Sequence, residues 1–327
     1  MGEHSELAST ARAVVVALGE VDPVLVSDAL GSGTAFVPHP GPADLAEAAG
    51  AIVRADAVVD RAALDRMPKL QVLARTGVGV DRIDMAAATE RRIAVVVTPG
   101  SGTRAVAEGV IGMALHLVKS FGPLTGLVRD GQWARRGEHT VADLDGATIG
   151  IIGYGRIGQR VAELASVFGM QILAHDPIAP PPDDIAVGDP RELAARSDII
   201  TLHAPLTETT RHLVDAEFLQ AVKPGAVLIN CGRGGLVDLD AVLAALQDGT
   251  LAGVGLDVFD PEPPTHHPLF DQHNVVLTPH VMGLSLRATA ATFADAAKGV
   301  ADVLAGRRPA ALADPQWTPR RTAELSR

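Results

Sequence analysis

The sequence predicts an α/β protein of two domains, each built on a parallel sheet. Three observations carry this. Short apolar runs suited to buried strands alternate with helix-length amphipathic segments along most of the chain. One such alternation, over residues 148–176, places a glycine-rich turn between a strand and a helix. The 327 residues exceed what a single core of ordinary size organises.

Composition narrows the class. Apolar residues make up 47% of the chain but aromatics only 3%, so the cores are expected to be mostly Ala, Val, Leu and Ile. A formal net charge of −11 argues against nucleic acid or an anionic membrane surface as partner. Cys231 is the only cysteine, which excludes an intramolecular disulfide and fits a reducing compartment. No apolar run has the length of a membrane span, and residues 13–18 are short for a signal-peptide core. A cytoplasmic protein is the expectation.

In chain order, residues 14–18, 35–37, 51–53, 72–74 and 93–97 are predicted strands. Residues 44–49, 61–67 and 85–91 are predicted helices between them. The turn at residues 76–81 carries Gly77 and Gly79, whose backbone could offer N–H groups to an anion; an ordinary Gly-rich turn is the plainer alternative. Residues 103–120 read as a long helix with two apolar stripes. Val106, Val110, Met113 and Leu117 form one; Ala107, Ile111, Leu115 and Val118 form the other. A helix apolar on two faces is expected to be covered on both, which predicts a homodimer built around it.

Residues 148–152 form the next strand and run into Gly153-Tyr154-Gly155-Arg156-Ile157-Gly158. Gly153 suits the tight turn, Gly155 the approach of a pyrophosphate, and Gly158 the close packing of helix on strand. The following helix shows Val161, Leu164, Ala165 and Phe168 on one stripe and ends at Gly169. Its N-terminus offers free N–H groups to phosphates. Asp176 closes the second strand, about 20 residues on, where a carboxylate accepts from the ribose hydroxyls of NAD and repels a 2′-phosphate. The segment therefore predicts a doubly wound sheet of the Rossmann type that takes NAD rather than NADP. Residues 177–184 are a Pro-rich loop; residues 198–202, 226–230, 253–257 and 275–277 are further strands. Residues 191–195, 215–221 and 239–247 are the helices between them, and residues 285–304 a second long helix. Residues 318–327 are polar and expected to fray.

Three polar residues fall just after strands of this doubly wound half, the edge where such sheets bind ligands. Arg233 follows the run 226–230, Glu262 lies in Asp260-Pro261-Glu262-Pro263-Pro264, and His280 follows 275–277 within Thr278-Pro279-His280. Singly, each could be a surface or capping residue; together on the ligand edge they point to chemistry. His280 is suited to take and return the proton of an alcohol. Glu262 would steady the imidazolium, and Arg233 would bind a carboxylate in a fork and polarise the neighbouring oxygen. Backbone N–H groups of Val78 and Gly79 would hold the other carboxylate edge. His266, His267, His273 and His280 match no metal-binding spacing, and no metal is expected.

Together these motifs, with His203-Ala204-Pro205-Leu206-Thr207, resemble the D-isomer-specific 2-hydroxyacid dehydrogenases, from about Lys69 to Gly283. The resemblance implies NAD as cofactor and hydride transfer between nicotinamide and C2 of a 2-hydroxy or 2-oxo acid. It implies a homodimer and a smaller flavodoxin-like substrate domain formed by residues 1–102 and 285–327, around an NAD-binding domain at residues 103–284. It adds Ala204, Cys231, Gly232 and Asp257 to Gly153, Gly155, Arg156, Ile157, Gly158 and Asp176 as cofactor-binding candidates. Asp257 would contact the nicotinamide amide and Cys231 line the cofactor cleft, with no base suited to making Cys231 a nucleophile.

Within the family the likeness is nearest to members acting on 3-phosphoglycerate. Arg54 and Arg75 each follow a predicted strand of the substrate domain and resemble phosphate-contacting arginines there; pairing with a neighbouring Asp is the alternative. An acidic or phosphorylated 2-hydroxy acid is the expected substrate. The sequence ends soon after Leu304, and the regulatory domain that many of these members carry is not expected. Gly102 stands where many members have Asn, Ala105 where they often have Ser, and Met282 where a small residue is common. Some relatives act as co-repressors, so an NAD(H)-sensing interaction protein on the same fold remains the alternative.

Overall fold

The computed structural model describes residues 12–318. The chain divides into two compact units, one drawn from Met1–Gly102 and Leu286–Arg327, the other from Thr103–Ser285.

The first unit is a five-stranded parallel sheet of β1 (Ala13–Leu18), β2 (Thr34–Val37), β3 (Ala48–Val53), β4 (Val72–Arg75) and β5 (Ala94–Val96). Their order is β2-β1-β3-β4-β5. Both faces are covered, as a parallel sheet requires. Val15, Ile52, Ala74 and Val96 point to one face, where α1 (Pro23–Leu30) supplies Val26 and Leu30 and α11 (Leu286–Leu304) supplies Phe293, Ala296 and Val300. Val16, Ala51, Leu73 and Val95 point to the other, against Leu64 of α3 (Arg61–Asp65) and Ala87 of α4 (Met85–Glu90). Gly50 lets α11 lie close: a Cβ there would sit 2.9 Å from Val300 Cγ1.

The helix expected at residues 44–49 is α2 (Pro42–Glu47), because Asp44 accepts the Gly41 N–H at 2.8 Å and sets the start. Ala48 and Ala49 instead open β3 beside β1. Helix α1 was not expected; Asp22 caps it by accepting from the Val24 N–H, and Pro23 stands at its first position. The fraying expected over residues 318–327 falls almost wholly outside the described residues.

The second unit is a six-stranded parallel sheet of β6 (Thr148–Ile152), β7 (Gln171–His175), β8 (Ile199–Leu202), β9 (Ala226–Asn230), β10 (Leu251–Leu256) and β11 (Val275–Leu277). The order β11-β10-β9-β8-β6-β7 places β7 on one side of β6 and β8 on the other. The switch in winding direction, where such sheets bind ligands, therefore lies at the carboxyl ends of β6 and β8. Helices α7 (Arg156–Val167), α8 (Pro190–Arg196), α9 (Ala216–Ala221) and α10 (Leu239–Gln247) connect the strands.

The long helix α5 (Thr103–Val118) buries Ala107, Val110, Ile111, Met113 and Ala114 within this unit, packing on α7, β9 and β10. Its apolar faces are thus covered largely by its own unit, and it leaves no large apolar side chain exposed. A further helix, α6 (Phe121–Arg129), follows it over a stretch for which the sequence suggested no element, with Pro123 tolerated in its first turn. Exposed apolar surface sits there and just beyond, at Phe121, Val128 and Trp133.

Candidate active site in the doubly wound unit

The glycine turn follows β6 directly. Gly153 adopts φ +96°, and a Cβ there would come within 2.5 Å of Ala204 N and His203 C. That crowding is what only glycine permits, and it brings the Ala204 backbone against the turn. A Cβ on Gly158 would overlap the Gly153 carbonyl oxygen, so α7 is drawn onto the turn. Apart from its chain neighbours, no atom of the described residues lies within 4 Å of the Cβ position of Gly155. Gly155 is the N-cap of α7 without a side-chain cap, so the first N–H groups of the helix, at Arg156 and Ile157, stay available. This cradle fits the pyrophosphate of a dinucleotide.

Asp176 follows β7 and faces the same turn. Its Oδ2 accepts the Tyr154 N–H at 2.8 Å, and its Oδ1 accepts those of Ile178 and Ala179, both at 2.8 Å. Burial pushes its pKa up, but the three N–H bonds outweigh this and hold it below the usual carboxylate range. A fixed anion at this position suits ribose hydroxyls and opposes a 2′-phosphate. Sequence reasoning foresaw the carboxylate but not its three backbone donors.

His203 and Ala204 leave the end of β8, and Gly232 lies beside them, its Cβ position 3.0 Å from Leu202 O and 3.4 Å from Ala204 O. Cys231 is buried in the cluster that also takes in Ile157 and Met282. Burial pushes its thiol pKa well up, which removes it as a nucleophile at neutral pH. His203 bonds Thr201 Oγ1 through Nε2 at 2.9 Å, while its buried Nδ1 has no hydrogen-bond partner. Burial pushes its pKa down to about 3.

The three catalytic candidates lie on the carboxyl edge of β9, β10 and β11. Asn230, the last residue of β9, clamps the next loop: its Nδ2 donates to Arg233 O at 2.8 Å and its Oδ1 accepts the Gly232 N–H at 3.0 Å. Arg233 Nη1 donates to Gly232 O at 2.8 Å. Gly234 lets this loop press on the one carrying Glu262, since a Cβ on it would meet Asp260 N at 2.5 Å. Glu262 Oε1 accepts the Phe259 N–H at 3.0 Å, and the Glu262 carboxylate pairs with His280 Nδ1 at 2.9 and 3.0 Å. The paired Nδ1 leaves Nε2 as the ring nitrogen able to exchange a proton with a ligand.

His280 stands at φ +55°, an uncommon conformation for a side chain of its size. Asp257, immediately after β10, holds its loop in place. Its Oδ1 accepts from Thr278 Oγ1 at 2.7 Å and Val281 N at 2.9 Å, and its Oδ2 from Met282 N at 3.2 Å. Burial raises the Asp257 pKa despite these donors. Asn230 and Thr278 were missed from sequence because each acts by holding backbone or a carboxylate. His266 and His267 pair with Asp271 and Asp240.

The first unit carries its own set at the carboxyl ends of the adjacent strands β3 and β4. The Arg54 guanidinium lies 5.3 Å over the Phe293 ring. Arg75 Nη1 donates to Thr76 O at 2.7 Å, curling over Gly77, which has φ +143°. Among the described residues no protein group accepts the N–H of Val78 or Gly79.

Residues 111–282 match the family described as D-isomer specific 2-hydroxyacid dehydrogenase, NAD binding domain. D-3-phosphoglycerate dehydrogenase of Methanocaldococcus jannaschii is 41% identical over 234 residues, 70% of this chain and 44% of that protein. The glyoxylate reductase of Thermococcus litoralis is 40% identical over 233 residues, 68% of this chain and 70% of that one. The crystal structure of D-lactate dehydrogenase from Aquifex aeolicus, complexed with NAD and lactic acid, superposes with a TM-score of 0.78 at 28% identity, covering 90% of this chain and 96% of that one. The chain spans about half the length or less of the phosphoglycerate dehydrogenases it matches, 44% and 50% of two of them. It belongs to the D-isomer specific 2-hydroxyacid dehydrogenases, with its NAD-binding domain in the second unit.

Proposed function

We propose that the protein is an NAD-dependent dehydrogenase acting at C2 of a D-2-hydroxy acid, or on the matching 2-oxo acid. The observation that carries this is the Glu262–His280 pair, 2.9 Å apart on the same sheet edge as the Arg233 loop. His280 Nε2 takes the C2 hydroxyl proton in oxidation and returns it in reduction. Glu262 holds the ring and steadies its protonated form. Arg233 receives the substrate carboxylate and draws charge onto the C2 oxygen. When bound, NAD supplies the hydride acceptor. A sensor of NAD(H) would have no use for a paired acid and base at this edge, which disfavours the co-repressor alternative.

The substrate we propose is an acid with a second anionic group, phosphate or carboxylate, 3-phosphoglycerate among them. Arg54, Arg75 and the N–H groups of Val78 and Gly79 form a cationic and donor-rich strand edge in the first unit that supports this. A panel of 2-hydroxy and 2-oxo acids, followed by NADH absorbance and repeated with NADP(H), is the test. The highest kcat/KM is expected for a doubly anionic acid with NAD(H), and Arg75→Ala should raise its KM more than that of lactate. A best rate with lactate or glycerate would reject the arginine assignment. A higher kcat/KM with NADPH than with NADH would reject the role of Asp176, and no turnover of any acid would reject the dehydrogenase.

We also propose a homodimer, its contact surface shifted from α5 to α6 and the segment after it. Phe121, Val128 and Trp133 are 53%, 63% and 64% exposed, an apolar group of the kind that a second copy covers. Light scattering at micromolar concentration should give twice the chain mass, and Phe121→Glu with Trp133→Glu should give single chains. Wild-type protein found as active single chains would contradict this. A cytoplasmic location is proposed with it. Among the described residues no single helix is long and apolar enough to cross a membrane; α5 and α6 pass only as a pair bent by 55°.

A further inference from the structure

The residue that departs from the family beside the catalytic histidine has a partner in the structure. Met282 lies two positions after His280, and its side chain lies against helix α5 at Gly109. A Cβ built on Gly109 would overlap the Met282 sulfur, and would stand 2.9 Å from its Cγ and 3.2 Å from its Cβ. The thioether therefore rests on bare helix backbone, in a notch that any other residue at position 109 would fill. The next residue follows the same line: the Cβ position of Gly283 is 3.7 Å from Val106 Cγ2, one turn earlier on α5.

That seat is itself fixed to the sheet. One turn beyond Gly109, Met113 of α5 packs on Gly255 of β10, its sulfur 3.0 Å from the Cβ position of that glycine. Leu117, a turn further, packs in the same way on Gly253, also at 3.0 Å. Helix α5 and β10 are thus interlocked, and β10 ends directly before Asp257. The His280 loop consequently has two anchors referred to one rigid frame. Asp257 holds it from the strand through Thr278, Val281 and Met282 N–H. The Gly109 notch holds it from the helix through the Met282 side chain.

We infer that Met282 seated in the Gly109 notch is a positioning device for His280, acting through the loop and not on the substrate. It rests on His280 being the proton acceptor proposed above. A left-handed residue persists only when its surroundings over-determine it, and an acid–base group displaced by about 1 Å can lose a factor of about 10² in rate.

The test is a double-substitution cycle on the whole protein. Gly109→Ala should lower kcat by about 10-fold or more with KM for NADH nearly unchanged, because the new methyl displaces the sulfur and the loop with it. A purely structural role predicts a changed Tm with kcat per folded molecule and the His280 signals unchanged. Met282→Ala should lower kcat less, by loosening the loop, and the two together should restore kcat to within about 3-fold of the parent. The imidazole NMR signals of His280, assigned by their loss in His280→Ala, should shift in Gly109→Ala and return in the double variant. Unchanged kcat and unchanged His280 signals in Gly109→Ala, or additive losses in the double variant, would overturn the inference. The NMR arm decides it even if no acid is turned over, an outcome that would instead reject the dehydrogenase reading.

Discussion

His280→Ala lowers kcat by a factor on the order of 10²–10⁴ while NADH still binds, as removal of a general base does. The geometry makes the expectation specific. His280 contributes no buried core surface and bonds through its side chain to Glu262 alone among the described residues. The glycine turn, Asp176 and Ala204 lie on other strands, so the cofactor cradle survives the substitution. Glu262→Gln should turn over more slowly, since the amide cannot steady an imidazolium as a carboxylate does. Stopped-flow turnover and NADH fluorescence titration separate the two effects. Near-normal kcat in the His280 variant would remove this residue from the chemistry.

Acidification should destabilise the second unit through His203. Burial holds its pKa down to about 3, so the native ring stays neutral where an unfolded histidine takes up a proton below about 6.5. Between those two values the unfolded chain binds more protons than the native one, and stability falls as pH falls. Above about 6.5 the contribution is flat. A shift of this size corresponds to a loss on the order of 4 kcal/mol by the acid end of the window. Its cause is local: Nδ1 is buried without a partner, and the protonated ring would put an uncompensated charge beside the fully buried Thr201. Urea unfolding between pH 7 and 4 should show a shallower decline for His203→Gln than for the parent, whatever the offset at pH 7. Identical pH slopes in the two proteins would show that His203 is not the titrating group.

The glycine turn was readable because its physics is local. Strand, turn and helix are contiguous: Gly153 answers to His203 and Ala204 just across the switch point, Gly158 to the Gly153 carbonyl, and Gly155 to open space left for a ligand. The same holds for the residue types Arg233, Glu262 and His280 placed after strands. Helix α6 was hidden because Gly122-Pro123 reads as a break, although proline is harmless in the first turn of a helix. The opening of β3 was misread because Ala48 and Ala49 favour helix in isolation, and only pairing with β1 makes them strand. The clamps on the site were invisible for a different reason. Asp257 engages backbone N–H groups, which carry no sequence signature, and Met282 meets a glycine, which shows its purpose only as missing volume. The covering of α5 likewise depended on β9 and β10, distant in sequence, and not on its own two stripes.

Helix α11 has a consequence for how the molecule is made. It supplies Phe293, Ala296, Ala297, Val300 and Val303 to one face of the first sheet, whose five strands all lie before residue 97. As the polypeptide leaves the ribosome, that sheet must wait for the whole intervening unit to be synthesised before its second face is covered. At about 5–20 residues per second the delay is on the order of 10–40 s. The inserted unit, continuous in sequence, can close its own core in that interval. The amino-terminal strands meanwhile present Val15, Ile52, Val72 and Val96 uncovered by α11, so nascent chains offer chaperones a binding surface that the finished fold hides.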